Sequence, residues 1–241
     1  NTLLKNIGEG VFSDISVTSN SNIVMDGMSV TTGDYNNDQY LDIYITNIPE
    51  GNKLLKNNGD ESFLEVAEES GVDYLGYAWG ANFLDYDLDG DLDLYVSGML
   101  EGSDEVPSIL YTNSGLENFT HEDIGFKGDT VISYSNAIGD IDNDGFPDII
   151  VNNYNNYRSM LWKNSAGNNH WIKVKLEGVS SNRDGIGAFI YVYYSGSEFM
   201  HYTASANGFL GQNSSYNMIG LGNTGTIDSL KVLWPSGQED I

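Results

Sequence analysis

Short apolar segments flank three acidic loops in the first two thirds of the chain. The segments behind the loops are rich in Leu, Ile, Tyr and Val, and none has the length of an ordinary helix. This length and this content of β-branched and aromatic residues are typical of buried strands. The predicted strands span residues 28–32, 79–84 and 134–138 before the loops and residues 41–46, 92–97 and 148–152 after them.

The pattern returns about every 50 residues. The loops begin at Asp34, Asp85 and Asp140, which are 51 and 55 residues apart. A Leu-x-x-Asn motif runs in step with them and predicts a third strand, and a Phe segment after it predicts a fourth. A four-stranded unit that repeats at this length is typical of a β-propeller blade. The motif occurs at residues 3–6, 54–57, 110–113 and 161–164, and the Phe segments at 63–66 and 119–121.

The number of blades falls short of a closed ring. Residues 1–16 hold only the last two strands of a preceding blade, and residues 161–164 supply a third strand with no clear fourth. A closed propeller needs roughly four to eight blades. We therefore expect residues 1–166 to form about three blades of a partial propeller, the C-terminal part of a longer one. Partner chains or further residues would cover its open edges.

The last third of the chain changes character. Acidic loops stop after residue 168, and apolar and polar residues alternate between turns rich in Gly, Asn and Ser. Five or six short strands with no helical period predict a small β-sandwich or barrel-like module over residues 167–241. The fold class expected for the whole chain is all-β. The strands of the module are predicted at 170–178, 188–194, 199–204, 217–221 and 227–234.

Composition narrows the class of protein. Hydrophobic residues make up 40% of the chain, enough to build a core despite a formal net charge of −25. The ten Lys and Arg residues do not cluster, so neither nucleic acid nor an anionic membrane surface is an expected partner. Membrane insertion is not expected, because no run of 18 apolar residues occurs. Without cysteine, disulfides cannot hold the fold.

The acidic loops have the chemistry of cation sites. Each loop places a carboxylate or amide oxygen at positions 1, 3, 5 and 9, and hard cations such as Ca²⁺ prefer six to eight oxygen ligands. Solvated turns also favour Asp and Asn, but three copies in register favour metal, about three calcium ions in a structural role. An EF-hand is excluded, because strands flank the loops and position 12 carries Ile45, Val96 and Val151 instead of Glu.

With their flanking strands, the loops resemble FG-GAP/VCBS repeats, the blades of integrin-α-like β-propellers. The resemblance implies that each loop joins the first two strands of a blade and binds calcium. Gln39 replaces the glycine of position 6 in the first loop, so a weaker or distorted site is expected there. The implied side-chain ligands are Asp34, Asn36, Asp38 and Asp42; Asp85, Asp87, Asp89 and Asp93; and Asp140, Asp142, Asp144 and Asp148, with backbone carbonyls from Tyr40, Asp91 and Phe146 at position 7.

The last third resembles the ASPIC/UnbV domain, which follows FG-GAP repeats in cartilage acidic proteins and many bacterial secreted proteins. The resemblance implies an architecture and no particular activity. The order and spacing of its motifs fit over about 70 residues. These motifs are Asn169-His-Trp-Ile, Ser181-Asn-Arg-Asp-Gly-Ile-Gly-Ala, Gly208-Phe-Leu, Gly220-Leu-Gly and Val232-Leu-Trp-Pro-Ser-Gly.

Catalysis is not expected. The sequence has no Gly-x-Ser-x-Gly elbow, no His-Glu-x-x-His and no cysteine nucleophile, and His121, His170 and His201 are isolated. We expect a calcium-stabilised secreted or cell-surface protein for binding, adhesion or assembly, whose partner is a protein, a glycan or its own copies. Two alternatives stay open. One is a carbohydrate-binding module with the Asn/Tyr-rich segment 152–157 as its lining, and the other is part of a larger secreted hydrolase.

Overall fold

A computed structural model describes residues 1–48, 50–99, 108–115, 117–121, 131–165 and 167–241. Within these ranges the chain forms nineteen β-strands joined by turns and contains no helix, which confirms the all-β class. A helix with the length and apolar character of a membrane span is accordingly absent from the described residues. The boundary predicted at residue 166 falls on a residue outside these ranges and stays a prediction.

Two complete four-stranded antiparallel blades and one three-stranded blade form the propeller part. Their strands follow one another in sequence order across each sheet, as the repeat predicts. Blade 1 contains β3 (Val30–Gly33), β4 (Asp42–Ile45), β5 (Lys53–Asn57) and β6 (Phe63–Glu65); blade 2 contains β7 (Tyr77–Leu84), β8 (Asp93–Met99), β9 (Ile109–Asn113) and β10 (Phe119–His121); blade 3 contains β11 (Ser133–Gly139), β12 (Asp148–Asn153) and β13 (Met160–Trp162).

A separate hairpin of β1 (Leu4–Asn6) and β2 (Phe12–Asp14) precedes blade 1. It corresponds to the two strands expected from a preceding blade, and Leu4 and Phe12 expose their apolar side chains. No fourth strand follows β13 in its sheet among the described residues. The arc is therefore a partial propeller, as the repeat count predicts.

Each acidic loop closes a hairpin between the first and second strands of its blade. The residue before the loop pairs with position 9 of the loop, as Gly33 does with Asp42 and Leu84 with Asp93. Blade 3 repeats this register, with Gly139 opposite Asp148. Position 9 thus belongs to the second strand, and the loop proper consists of the eight residues before it.

Apolar side chains fill the spaces between neighbouring blades. Tyr44, Leu54 and Phe83 belong to the cluster that joins blades 1 and 2, and Tyr95 and Ile138 to the one that joins blades 2 and 3. The first strands of the blades, β3, β7 and β11, lie side by side. The carboxyl ends of these strands, where the acidic loops begin, consequently lie close together.

Two small sheets form the C-terminal module. A core that includes Ile190, Leu221 and Trp234 lies among their strands, as expected for a small sandwich. One sheet contains β14 (His170–Val174) and β17 (Asn217–Gly222), and the other contains β16 (Ser197–Tyr202), β15 (Phe189–Tyr194), β18 (Ser229–Leu233) and β19 (Glu239–Asp240) in that order.

A segment of the module lies along the first strands of blades 2 and 3. The amide of Ser214 donates to the carbonyl of Ile138 at 2.8 Å, and Nδ2 of Asn213 donates to Oδ1 of Asn82 at 2.9 Å. The ring of Phe209 lies 5.4 Å from that of Trp79. The sequence did not predict this contact. The segment covers part of these two strands, and cover of the open edges of the arc by partner chains or further residues stays a prediction.

Candidate metal centres

The three acidic loops share one backbone shape. Positions 4 and 6 adopt the left-handed conformation in every loop, which curls the chain so that the odd-numbered side chains converge. Gln39 adopts it at φ = 70° where the other two loops have glycine, so the distortion predicted for the first loop takes the form of backbone strain. The six residues are Asn37 and Gln39, Leu88 and Gly90, and Asn143 and Gly145.

The carboxylate at position 1 holds the turn from inside. Oδ2 of Asp34 accepts the amide of Gln39 at 2.9 Å, and Oδ1 accepts the amide of Asp38 at 3.0 Å. Asp85 makes the same two bonds in the second loop. In the third loop, Oδ2 of Asp140 accepts the amide of position 6 at 3.1 Å. These bonds orient the first predicted ligand of each loop.

The carboxylate at position 9 ties the loop to the third strand. Asp93 accepts the amides of Tyr86 and Asn113, each at 2.8 Å, and Asp42 and Asp148 make the equivalent pairs of bonds. Asn113 ends the Leu-x-x-Asn motif of its blade. The two sequence motifs therefore recur in step, because the carboxylate of one accepts the backbone amide of the residue that ends the other.

The same asparagine connects neighbouring blades. Nδ2 of Asn113 in blade 2 donates to the carbonyl of Tyr35 in the first loop at 2.8 Å. In blade 3, Nδ2 of Asn164 donates to the carbonyl of Tyr86 in the second loop at 2.6 Å. The first and second loops are thus each held by their own blade and by the next one.

Side chains at position 7 lie against a glycine of the third-to-fourth-strand turn. A Cβ atom on Gly59 would lie 2.6 Å from the ring of Tyr40, and one on Gly115 would lie 2.7 Å from Oδ2 of Asp91. In the third loop, position 7 is Phe146, which is buried and lies beside Gly167, a glycine that follows β13. This packing accounts for three unlike side chains at one position. Their backbone carbonyls remain predicted ligands.

The second and third loops bring several of the predicted ligands together, whereas the carboxylates of the first loop, which the structure describes in full, do not form such a cluster. Carboxylate oxygens from three residues of the second loop lie within 4.8 Å of one another, and so do three from the third loop. Oδ1 of Asn36 and Oδ1 of Asp140 are buried and have no hydrogen-bond partner in the protein. A buried oxygen without a partner is costly, so both fit a bound cation. The two clusters are Asp85, Asp87 and Asp89, and Asp140, Asp142 and Asp148.

Burial disfavours the ionised form of the loop carboxylates. Removal from water raises the pKa of Asp34 to about 6, of Asp42 to about 8 and of Asp89 to about 6. Neighbouring aspartates of the same loop act in the same direction. The pKa values of Asp85 and Asp93 also lie well above the ordinary range for the same reason. A divalent cation would favour the ionised form of all five groups.

Two lysines contact the third loop, and neither was expected from the sequence. Nζ of Lys173, on β14, lies 2.6 Å from Oδ2 of Asp140, and Lys163 forms an ion pair with Asp142. Lys173 is 33 residues beyond its partner. Nothing in the local sequence around Lys173 or Asp140 indicates that the two side chains meet.

The C-terminal module covers the second and third loops. A Cβ atom on Gly145 would lie 1.9 Å from the indole of Trp171, and one on Gly220 would lie 2.2 Å from Oδ2 of Asp85. The amide of Gly222 donates to the carbonyl of Leu88 at 2.9 Å. Backbone and ring atoms of the module therefore lie directly on the loops, at positions where a side chain would not fit.

The remaining candidate residues do not form a cluster. His121 lies on β10, His170 on β14 and His201 on β16. Burial lowers the pKa of His201 to about 4, so this imidazole is neutral at physiological pH. In the segment proposed to stack on sugars, Tyr154 and Tyr157 are 43% and 59% exposed.

Comparison with known families agrees with this division of the chain. A family model described as FG-GAP-like repeat matches residues 34–96, which include the first two loops, and one described as FG-GAP repeat matches residues 133–169, which include the third. A model described as ASPIC and UnbV matches residues 178–241. No curated protein matches the chain. These matches identify FG-GAP repeats in the first two thirds of the chain and an ASPIC/UnbV domain in its last third.

Proposed function

We propose that the chain is a calcium-stabilised binding protein of the cell exterior or cell surface, without catalytic activity. The observation that carries this proposal is the common backbone geometry of the three loops, together with the converging carboxylates of the second and third loops and two buried oxygens that lack a partner. FG-GAP repeats are typical of extracellular and cell-surface proteins, where millimolar calcium is present.

The donor set favours calcium over softer metals. All predicted ligands are carboxylate, amide or carbonyl oxygens, and hard cations prefer such ligands, whereas zinc and copper favour nitrogen and sulfur. Calcium also tolerates irregular coordination, while magnesium requires a near-ideal octahedron. The residues that would hold the ion in the second loop are Asp85, Asp87, Asp89 and Asp93, with the carbonyl of Asp91.

Bound calcium would stabilise the propeller blades and would have no catalytic role. In the first two loops the ion would neutralise acidic groups that burial keeps from ionising freely, and in every loop it would fix the hairpin between the first two strands of the blade. The C-terminal module lies on the second and third loops, so it would share this stabilisation. The resulting rigid surface suits binding to a protein, a glycan or another copy of the chain.

Removal of calcium tests the stabilising role. We expect a chelator to lower the melting temperature strongly and added calcium to restore it, because each site adds about 3 kcal/mol when calcium is about 200 times its dissociation constant. Differential scanning calorimetry measures the shift. Magnesium at equal concentration is the control and should restore much less. An unchanged melting temperature in chelator would refute the role.

Carbohydrate binding is a second candidate, because two exposed tyrosines lie in one Asn-rich turn after β12. The rings of Tyr154 and Tyr134 lie 5.3 Å apart, which holds the first of them in place. A glycan array in calcium should show a ligand that Tyr157→Ala weakens roughly tenfold or more, since stacking on an exposed ring carries such affinity. Val24→Ala, at an exposed apolar residue outside the acidic loops, is the control. An array with no bound glycan would exclude this candidate.

A further inference from the structure

A cation of the protein itself already contacts the third loop. The Lys173 side chain is 19% exposed and that of Asp140 1% exposed, and Nζ lies 2.6 Å from Oδ2. The same oxygen accepts the amide of Gly145. An ammonium therefore neutralises the carboxylate at position 1 of this loop.

The first two loops differ in this respect. Asp34 and Asp85 occupy the equivalent position, and backbone amides are their only hydrogen-bond donors among the described residues. Within the same part of the chain, no ion pair joins a lysine or arginine to either loop. Calcium could enter these loops without displacing a positive charge.

The position of the lysine is fixed by the C-terminal module. Lys173 lies on β14, where it pairs with Met218 of β17, and Trp171 of the same strand lies against Gly145. The ring of Tyr216 lies 5.2 Å from Nζ, close enough for a cation–π contact. Docking of the module on the third loop therefore brings the ammonium to Asp140.

We propose that Lys173 is an intramolecular cation that competes with calcium for the third loop. Calcium and an ammonium repel each other at ligand distances, so the ion enters this loop only if the lysine withdraws. The first two loops bind calcium without this competition, so both are tighter than the third, and the strain at Gln39 weakens the first relative to the second. This proposal rests on the proposed calcium function, and it divides the three ions into two tight ones and one weaker one.

Calcium titration of the full chain tests the proposal. Isothermal titration calorimetry on chelator-stripped protein should find two tight sites and a weaker third. Lys173→Met should tighten the third site at least about tenfold, because an opposite charge in contact with a carboxylate changes its proton affinity by about one to three pKa units. Lys175→Met is the matched control. Lys175 has the same charge, lies 5.3 Å from the same Tyr216 ring and is exposed.

Terbium in place of calcium identifies the loop, because Trp171 contacts Gly145 and would sensitise an ion bound nearby. In the unmodified chain, the third equivalent should raise the tryptophan-excited emission above the level reached with the first two. In Lys173→Met, this emission should appear at lower terbium concentration. Emission that follows the same curve in Lys173→Met, Lys175→Met and the unmodified chain contradicts the proposal.

The outcomes separate this inference from the proposed function. Three sites of equal affinity in the unmodified chain would overturn the role of Lys173 and leave calcium stabilisation standing. Absence of calcium binding at every site would overturn the proposed function and this inference together. Should Lys173→Met fail to fold, the stoichiometry of the unmodified chain still decides, since the proposal requires two tight sites.

Discussion

Single residues determine how much backbone strain each loop carries. The left-handed conformation at position 6 is required in all three, because that amide must reach the carboxylate at position 1. Gly90 and Gly145 adopt it without a Cβ penalty, whereas Gln39 pays one. The same loop geometry therefore costs more conformational free energy in blade 1 than in blades 2 and 3.

Gln39→Gly should relieve this strain. We expect the variant to gain about 0.5–1 kcal/mol of unfolding free energy in calcium, since a left-handed non-glycine residue costs about 1–2 kcal/mol and glycine loses part of that in entropy. Urea unfolding measures the change. Asn143→Gly, at a left-handed position that asparagine tolerates, is the control and should not gain. A less stable Gln39→Gly would show that the conformation is not strained.

Hairpin and third strand act as one element because the position 9 carboxylate joins them. Asp93 is almost fully buried and uses both oxygens to accept backbone amides from the loop and from the end of β9. The amide of Asn113 would otherwise be buried without an acceptor. Even without metal coordination, position 9 therefore has a structural reason to be Asp.

Asp93→Asn should destabilise blade 2 by about 2–4 kcal/mol in calcium, because one of the two buried amides would face an NH₂ group. Urea unfolding at saturating calcium measures this loss. Asp91→Asn is the control in the same loop. It should cost less stability, because an amide oxygen at this position can still accept the hydrogen bond from Nδ2 of Asn37. Equal losses for both variants would mean that loop charge, and not the position 9 bonds, carries the effect.

At the scale of the whole molecule, the propeller arc and the C-terminal module pack against each other. The second and third loops, which are proposed to bind metal, also form the surface on which the module packs. Trp171 lies against Gly145 of the third loop, and Gly220 lies against Asp85 of the second. The segment with Asn213 and Ser214 adds hydrogen bonds along the first strands of blades 2 and 3. A substitution in the second or third loop should therefore alter the packing of the module.

Gly145→Ala should loosen this contact. The new Cβ would overlap the indole of Trp171, and the backbone has φ = 95°, so we expect a loss of about 2–4 kcal/mol and altered near-ultraviolet dichroism of the indole. Gly237→Ala is the matched control, since its φ is 83° with open space around it, and should cost about 1 kcal/mol. Equal losses would argue against docking on the third loop.

The repeat itself was predictable because its signals are local. Aspartate and asparagine at alternating positions, residues that allow a left-handed turn and short β-branched strands all act within about ten residues of one another. The loops at Asp34, Asp85 and Asp140 and the strands around them accordingly lie where the sequence indicates. Even the spacing of the Leu-x-x-Asn motif follows from one hydrogen bond inside each blade.

The sequence alone therefore determined the all-β class, the blades and the residues of the acidic loops. Only the tertiary structure decided which surface covers those loops and which charge reaches them. Lys173 meets Asp140 through the packing of one sheet on another, and such packing depends on shape complementarity between distant segments, for which the chain carries no periodic signal. Apart from Gln39 in the first loop, the three loops look equivalent in sequence, and the C-terminal module makes the third one unlike the other two.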